Sequence, residues 1–518
     1  MGYLLRTLHA FRARGSRPFA PAGHATPRLF VTLCLAFAFT GLLAAGCTLF
    51  GPRVDPYADI RQNLNAGFPI TDAELDALPV YSITTRIDPV SAQYTGTLTL
   101  SLPITGSAAL DRLYFRSYPN LITFGGNLQV TGASIDGANV NFGPAADGTA
   151  VELIALKPLE PGARAEVWLA FSGSLPDPSQ PGAYTIFGSN EEVLGLTNFY
   201  PILAGRRGDD WALDIPHPRG DVGFHMAALY RARVSIPPNL TLVATGTEIT
   251  RTVAADGWET VQLALGPARE FTVLLSPRFQ VIETEALGTR IRSYYYPEDA
   301  DAARSALYSA AAALRIYSDR FGPYPYRDMA VVQAPLTFHG MEFPGVNLIG
   351  SQVYNRYTQD LETLVVHEVA HQWWYNQVGS DQVRTPWLDE GLAEFTMYYY
   401  YEGRYGEPVA ERLRQVRWEL PVRGLVAGGN DRPIGLTVRD YTSHYETLVY
   451  GKGALFFATL RDELGPEKFE ELLRTYLARY RWRIATPAEF QAVVEEVAGR
   501  DMSALFDEWV YGSATAQQ

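Results

Sequence analysis

A chain of 518 residues is too long for one ordinary core, so two or three domains are expected. Its 47% hydrophobic and 19% charged content is that of a globular protein and excludes a disordered one. The formal charge is −13. The only charged residues in 1–46 are five arginines (Arg6, Arg12, Arg14, Arg17 and Arg28), so the remainder stands five lower, at −18. Such a body repels nucleic acid and anionic headgroups, and no nucleic-acid partner is expected. Solubility alone accounts for most of that charge.

Residues 1–28 are basic and lack any acidic residue, and 29–45 (LFVTLCLAFAFTGLLAA) form an unbroken apolar run. A basic start, an apolar stretch and small residues at its end predict a signal peptide over 1–46. The run closes in Leu43-Ala44-Ala45-Gly46-Cys47, which resembles a bacterial lipoprotein box. That resemblance implies a lipidated Cys47 and membrane attachment, with a tether and domain entry over 47–75. Plain secretion and retention as an anchor are the alternatives, and a run of this length is at the short end of what crosses a bilayer. Each of the three places the folded body outside the cytoplasm. The remaining cysteine, Cys34, lies inside the apolar run. The body therefore has no disulfide, and any metal must be held by histidines and carboxylates.

From about 76 to 285 the pattern is strand-like. Tyr81 to Leu102 alternates apolar and polar residues, and similar runs recur at 112–117, 151–156, 165–171, 229–236, 240–245, 260–265 and 271–275. Asp136-Gly137, Asp147-Gly148 and Asp256-Gly257 mark turns between them. This predicts an antiparallel β domain. The pattern changes near Pro297: Leu307, Ala311, Leu314 and Tyr317 share a helical face over 299–320, and a strand follows at 328–334. After 355 the chain reads as mostly helical. Thr385-Pro386 predicts an N-cap and first-turn proline for a helix to Gly403, and Thr486 to Glu489 a capping box. The fold class is α+β, with a second, mostly helical domain over 286–515.

His367-Glu368-Val369-Ala370-His371 reads H-E-x-x-H in a helical pattern, with Leu361, Leu364 and Val365 on the buried side. Histidines four apart point the same way and can share one metal. Glu368, one position along, can sit beside metal-activated water and take its proton. Glu390, after 18 intervening residues and early in the next helix, can complete a His₂Glu site for one Zn²⁺ with a vacant position, the catalytic kind. With 8 histidines in the chain, chance occurrence of the pattern is on the order of 0.01 per sequence.

HEVAHQWW followed by PWLDEGLAEF resembles the M1 zinc aminopeptidases of the gluzincin group. Phe338-His339-Gly340-Met341-Glu342 resembles their G-x-M-E-N motif, Tyr450-Gly451-Lys452-Gly453-Ala454 their Y-x-K-G-A block, and Tyr81 to Pro89 the opening strand of their β domain. The resemblance covers about 78–512. It implies a thermolysin-like catalytic domain over 286–515, in a short form without further C-terminal domains, and peptides as substrates. It implies that Glu342 grips the substrate's α-amine, that Gly340 and Met341 line the cleft as an extended edge, and that Tyr450 donates to the tetrahedral oxyanion. The sequence departs from the pattern at His339, at Phe343, and at Tyr375, where the family has glycine.

Glu394, one turn beyond Glu390, is a candidate hydrogen-bond partner behind a ligand histidine; a solvated or helix-pairing role is the alternative. Tyr445 and His339 either face the cleft or pack. Trp373 and Trp374 are expected to pack, and His217, His225 and His444 have no metal spacing. The expected activity is removal of N-terminal residues. Internal or unusual N-terminal cleavage is the alternative, and a non-catalytic peptide-binding lipoprotein is a third reading.

Overall fold

The computed structural model describes residues 55–177 and 186–512; the expected signal peptide, Cys34 and Cys47 lie outside them. By its contacts the chain divides into Met1–Pro56 and Tyr57–Gln518. The second unit opens with two short helices, α1 (Ala58–Asn63) and α2 (Asp72–Asp76). A capping box starts α2: the Thr71 side chain accepts from the Glu74 amide and the Glu74 carboxylate accepts from the Thr71 amide. Ile60 and Leu75 are buried with Val80, Leu229 and Ala264. Asn65 Nδ2 donates to Thr289 Oγ1 and to the carbonyls of Tyr324 and Tyr326. The tether expected over 47–75 is therefore corrected from Tyr57 onward. Its turn signals and polar composition hide two helices whose few large apolar residues are anchored in the body.

The β domain is built on the hairpin β1 (Val80–Asp88) and β2 (Gln93–Pro103), with β3 (Asn127–Ile135), β4 (Arg164–Ser174), β5 (Ala228–Ile236) and β6 (Glu259–Ala268). These join Thr247–Val253 and Ala138–Asn139 in an eight-stranded sheet, ordered Thr247–Val253, β6, β5, β1, β2, β4, β3, Ala138–Asn139. Ile83 faces Leu98 and Leu98 faces Leu169, so the apolar alternation falls on one buried side. Asp136 and Gly137 have φ of +51° and +78°, as the two-residue hairpin turn requires. The sheet departs from the antiparallel expectation at one seam. β1 and β5 pair in parallel, from Val80 opposite Leu229 to Arg86 opposite Ser235. Local turn signals cannot reveal a pairing between strands so far apart in sequence.

The second domain begins earlier than expected. β7 (Gln280–Ala286) pairs with β8 (Thr289–Tyr295), and both belong to a five-stranded sheet with β9 (Asp328–Ala334), β10 (Gly340–Phe343) and β11 (Val346–Gly350), ordered β7-β8-β9-β11-β10. The boundary predicted at 285/286 thus moves back to between Ser276 and Gln280, because strand patterning does not tell which sheet a strand joins. β10 lies at the sheet's edge.

The main helices here are α3 (Ala300–Phe321), α4 (Leu361–Ala370), α5 (Trp387–Tyr405), α6 (Gly453–Leu464), α7 (Pro466–Tyr480) and α8 (Pro487–Ala498). Leu307, Ala311, Leu314 and Tyr317 of α3 are buried as predicted, and the Tyr317 hydroxyl donates to the Val366 carbonyl of α4 at 3.1 Å. The Thr486–Glu489 capping box forms. Thr385 does not cap α5; Pro386 takes the cap position, while the Thr385 hydroxyl donates to the Asp381 carbonyl, and the helix runs to Tyr405.

Every residue of α5 from Trp387 to Tyr400 is buried, so this helix is core rather than surface. Trp387 packs on Phe456, Phe457 and Phe490. Gly391 of α5 and Gly453 of α6 meet backbone to backbone; a Cβ on either would lie 3.0 Å from the other's Cα. Among the described residues no helix is long and apolar enough to cross a membrane.

Candidate metal centre

α4 places His367 and His371 one turn apart on the same side; His371 ends the helix with still-helical φ −63° and ψ −14°. Glu390 is in the first turn of α5. His367 Nε2, His371 Nε2 and Glu390 Oε2 form a triangle with all three sides 3.2 Å. A tetrahedral centre with bonds of about 2.0 Å spaces its ligand atoms about 3.3 Å apart. Two imidazoles and one carboxylate suit zinc, whereas calcium and magnesium take oxygen ligands. The predicted set is brought together, with all three residues buried.

Each ligand is held from behind. His371 Nδ1 lies 3.0 Å from the Trp374 carbonyl, so Nδ1 carries the proton and Nε2 presents its lone pair to the centre. His367 Nδ1 lies 3.3 Å from Glu394 Oε2. Glu394 in turn accepts from Arg417 and, at 2.8 Å, from Trp418 Nε1. Glu394 therefore stands behind a ligand histidine. Burial alone would raise its carboxyl, but Arg417 and His367 outweigh that and hold it at about 2. The Tyr450 hydroxyl donates to Glu390 Oε1 at 2.8 Å.

The electrostatics describe a site arranged for positive charge. Burial opposes charging of His367, yet Glu390 and Glu394 overcome it and push its pKa up to about 9. His371 is raised well above its ordinary value against the same opposition, by Glu342, Glu390 and Glu368. Glu390 is held far down despite its burial, by both histidines. The surrounding carboxylates thus favour a positive charge at the centre, of the kind that a cation would bring.

Glu368 is buried beside the triangle. Burial, reinforced by Glu342 and Glu390 and opposed by the histidines, raises it to about 8, the range of a general base. β10 supplies the opposite wall, and its alternation sorts the motif. Gly340 and Glu342 face the site, and a Cβ on Gly340 would overlap the Glu368 carboxylate. Glu342 Oε1 accepts from Gln382 Nε2 at 3.0 Å, and burial raises its carboxyl. Met341 and Phe343 face the other way, into a cluster with Val332, Leu336 and Leu348. The Met341 side chain is therefore core, and only its backbone lies along the edge that the resemblance implies, because successive residues of a strand point to opposite faces.

Tyr450 sits in a π-helical turn, Thr447–Lys452, and burial raises its hydroxyl well above the ordinary value, keeping it a donor. Tyr445 packs edge-on against Tyr441 and Tyr450. His339 is exposed, and its carbonyl accepts from the Gly350 amide. Trp373 and Trp374 are fully buried and donate to the Gly322 carbonyl and to Thr396.

Three residues of the site escaped the sequence reading. Gln382 holds Glu342. Asp389 accepts from the Glu390 amide, and burial, then Glu390, raises it to about 7. Asp221, from a β-domain loop, lies near enough to Glu342 and Glu390 that, after burial, their charges raise its carboxyl well above the ordinary range. Asp389 could have been found, since it sits inside the W-L-D-E block. Asp221 and Gln382 carry no motif.

Residues 305–509 match the Peptidase family M1 domain. Aminopeptidase M1-B of Oryza sativa subsp. japonica is 27% identical over 249 residues, which are 45% of this chain and 28% of that protein. Human glutamyl aminopeptidase is 30% identical over 156 residues, 29% of this chain and 16% of that protein. The chain thus spans under a third of the length of these curated relatives. The M1 zinc metallopeptidase from Deinococcus radiodurans superposes with a TM-score of 0.63 at 21% identity, over 84% of this chain and 93% of that one. The fold is therefore that of the solved M1 metallopeptidase: a β-rich N-terminal domain followed by a mostly helical one.

Proposed function

We propose that this protein is a zinc-dependent aminopeptidase that releases N-terminal residues from peptides. The observation that carries the reading is the 3.2 Å triangle of His367, His371 and Glu390, with Glu368 beside it and Glu342 of β10 facing it. Zinc held there supplies Lewis acidity and acidified water. Glu368 takes a proton from the attacking water and returns it to the leaving nitrogen. Glu342 and Asp221 present carboxylates to the substrate's ammonium group, which selects a free N-terminus. Tyr450, whose hydroxyl now rests on Glu390, turns to donate to the oxyanion as it develops. The open edge of β10 can align an extended peptide through its backbone.

Glu368→Gln tests the mechanism: hydrolysis of an aminoacyl anilide should fall by about three orders of magnitude or more with zinc content unchanged. Normal turnover in that variant would remove Glu368 from its role. Fast cleavage of the N-acetylated anilide would replace exopeptidase action with internal cleavage, and zinc binding without any turnover would leave only peptide capture.

We further propose that residues 1–46 export the protein and that a lipid on Cys47 holds it at the membrane outside the cytoplasm. The support is the order of basic, apolar and small residues before the cysteine. Labelled fatty acid should enter the native protein and not Cys47→Ser; equal labelling, or none in either, would refute it.

A further inference from the structure

The turn after α4 is held in an uncommon conformation. Tyr375 has φ +146°, in the region that favours glycine, and is buried. A bulky residue persists there only when its surroundings fix it. Here they do so from the β domain. Arg269 Nε donates to the Tyr375 carbonyl, and its other nitrogens donate to the carbonyls of His225 and Arg483, each at 2.9 Å. The Tyr375 hydroxyl donates to Glu270 Oε1 at 2.8 Å. The second oxygen of Glu270 lies 2.8 Å from His225 Nδ1, and His225 Nε2 lies 3.1 Å from the Tyr118 hydroxyl.

The same residue touches both halves of the site. On its N-terminal side the Trp374 carbonyl meets His371 Nδ1, and on its C-terminal side the Asn376 amide donates to the His371 carbonyl at 2.9 Å. Its hydroxyl end shares one packed spot with Gln382: a Cβ on Gly223 would overlap the Gln382 amide and lie 3.1 Å from the Tyr375 hydroxyl. Gln382 is the donor to Glu342.

We propose that Tyr375, tied to Glu270, is a positioning residue that fixes the Trp374 carbonyl behind His371 and the seat of Gln382 behind Glu342. The inference rests on the zinc aminopeptidase reading. Packing alone needs only the aromatic ring, and Arg269 holds only the backbone carbonyl; the tie of the side chain to Glu270 needs the hydroxyl.

The test uses the full chain with Tyr375→Phe, Glu270→Ala and Glu270→Gln, reading zinc affinity by chelator competition, and KM and kcat for an aminoacyl anilide. Tyr375→Phe and Glu270→Ala should each weaken zinc about tenfold and raise KM severalfold with kcat changed less, as loss of a partner behind a metal ligand does. Glu270→Gln, which still accepts from Tyr375, should recover most of both. The double variant Tyr375→Phe with Glu270→Ala should be no worse than either single one. If Tyr375→Phe fails to fold, Glu270→Ala against Glu270→Gln carries the same comparison. A lowered Tm with zinc affinity and KM within about twofold of the native protein would show a merely structural role and overturn the inference. If the native protein itself binds no zinc, both readings fall; if it binds and cleaves while the variants match it, this one alone falls.

Discussion

The two halves of the site are made in different ways. The metal half comes from α4 and α5, packed helices whose ligands lie in one stretch of sequence, and α5 is buried on all sides through Tyr400. The half proposed to hold the substrate is collected from an edge strand (Glu342), a connecting loop (Gln382) and the β domain (Asp221). A core helix holds its carboxylates rigidly, because moving one would strand a buried charge, which is strongly destabilising. Edge strands and loops can change residue by residue without unpacking the core. On the proposed function, chemistry is placed where the fold is least adjustable and selection of substrate where it is most adjustable.

Variants can break that contrast. Glu390→Ala removes a corner of the triangle and should abolish zinc retention, lowering turnover by about a thousandfold or more, as read by metal analysis and anilide hydrolysis. Glu342→Gln should keep full zinc content and lose about a hundredfold in kcat/KM toward free N-termini, with little change for N-acetylated substrates. Equal losses on both substrates would mean that Glu342 does not read the amine. Gly340→Ala should leave zinc and thermal stability nearly unchanged yet cost about tenfold or more in kcat, since its methyl must displace Glu368.

A smaller, graded effect sharpens the comparison further. In the metal-free protein His367 keeps its proton up to about pH 9, because Glu390 and Glu394 outweigh its burial. Zinc must displace that proton, and the one that His371 holds by its own raised pKa, so affinity should fall about tenfold per pH unit for each proton released as pH drops below 9. Stability of the metal-free protein should run the opposite way. His367 gains its partners on folding, so its contribution is full below its ordinary 6.5 and lost as pH rises through about 9. Thermal unfolding with and without chelator across that window checks both signs.

The same division decides what could be read in advance. H-E-x-x-H and the glutamate after it are local patterns in helices, and helical periodicity is local physics, so His367, His371, Glu390 and Glu394 were legible. So were the buried face of α3 and the capping box at Thr486. The parallel seam of β1 and β5 was not, since its partners meet only in the finished sheet. Residues 57–75 looked like a tether because Ile60 and Leu75 are too sparse to show a period. The face taken by the Met341 side chain was not legible, because a motif gives residue types without the face each one occupies. Asp221 and Gln382 were invisible because nothing near them in sequence marks them; their meaning comes from what folding sets opposite.

The contact between Gly391 and Gly453 carries a last consequence. Gly391 directly follows the carboxylate ligand, and Gly453 lies three residues after Tyr450, so these two hydrogens set the gap across which phenol and carboxylate meet at 2.8 Å. A methyl at either position would act as a shim between the helices. It would open that gap while leaving every ligand and every polar group of the centre chemically intact.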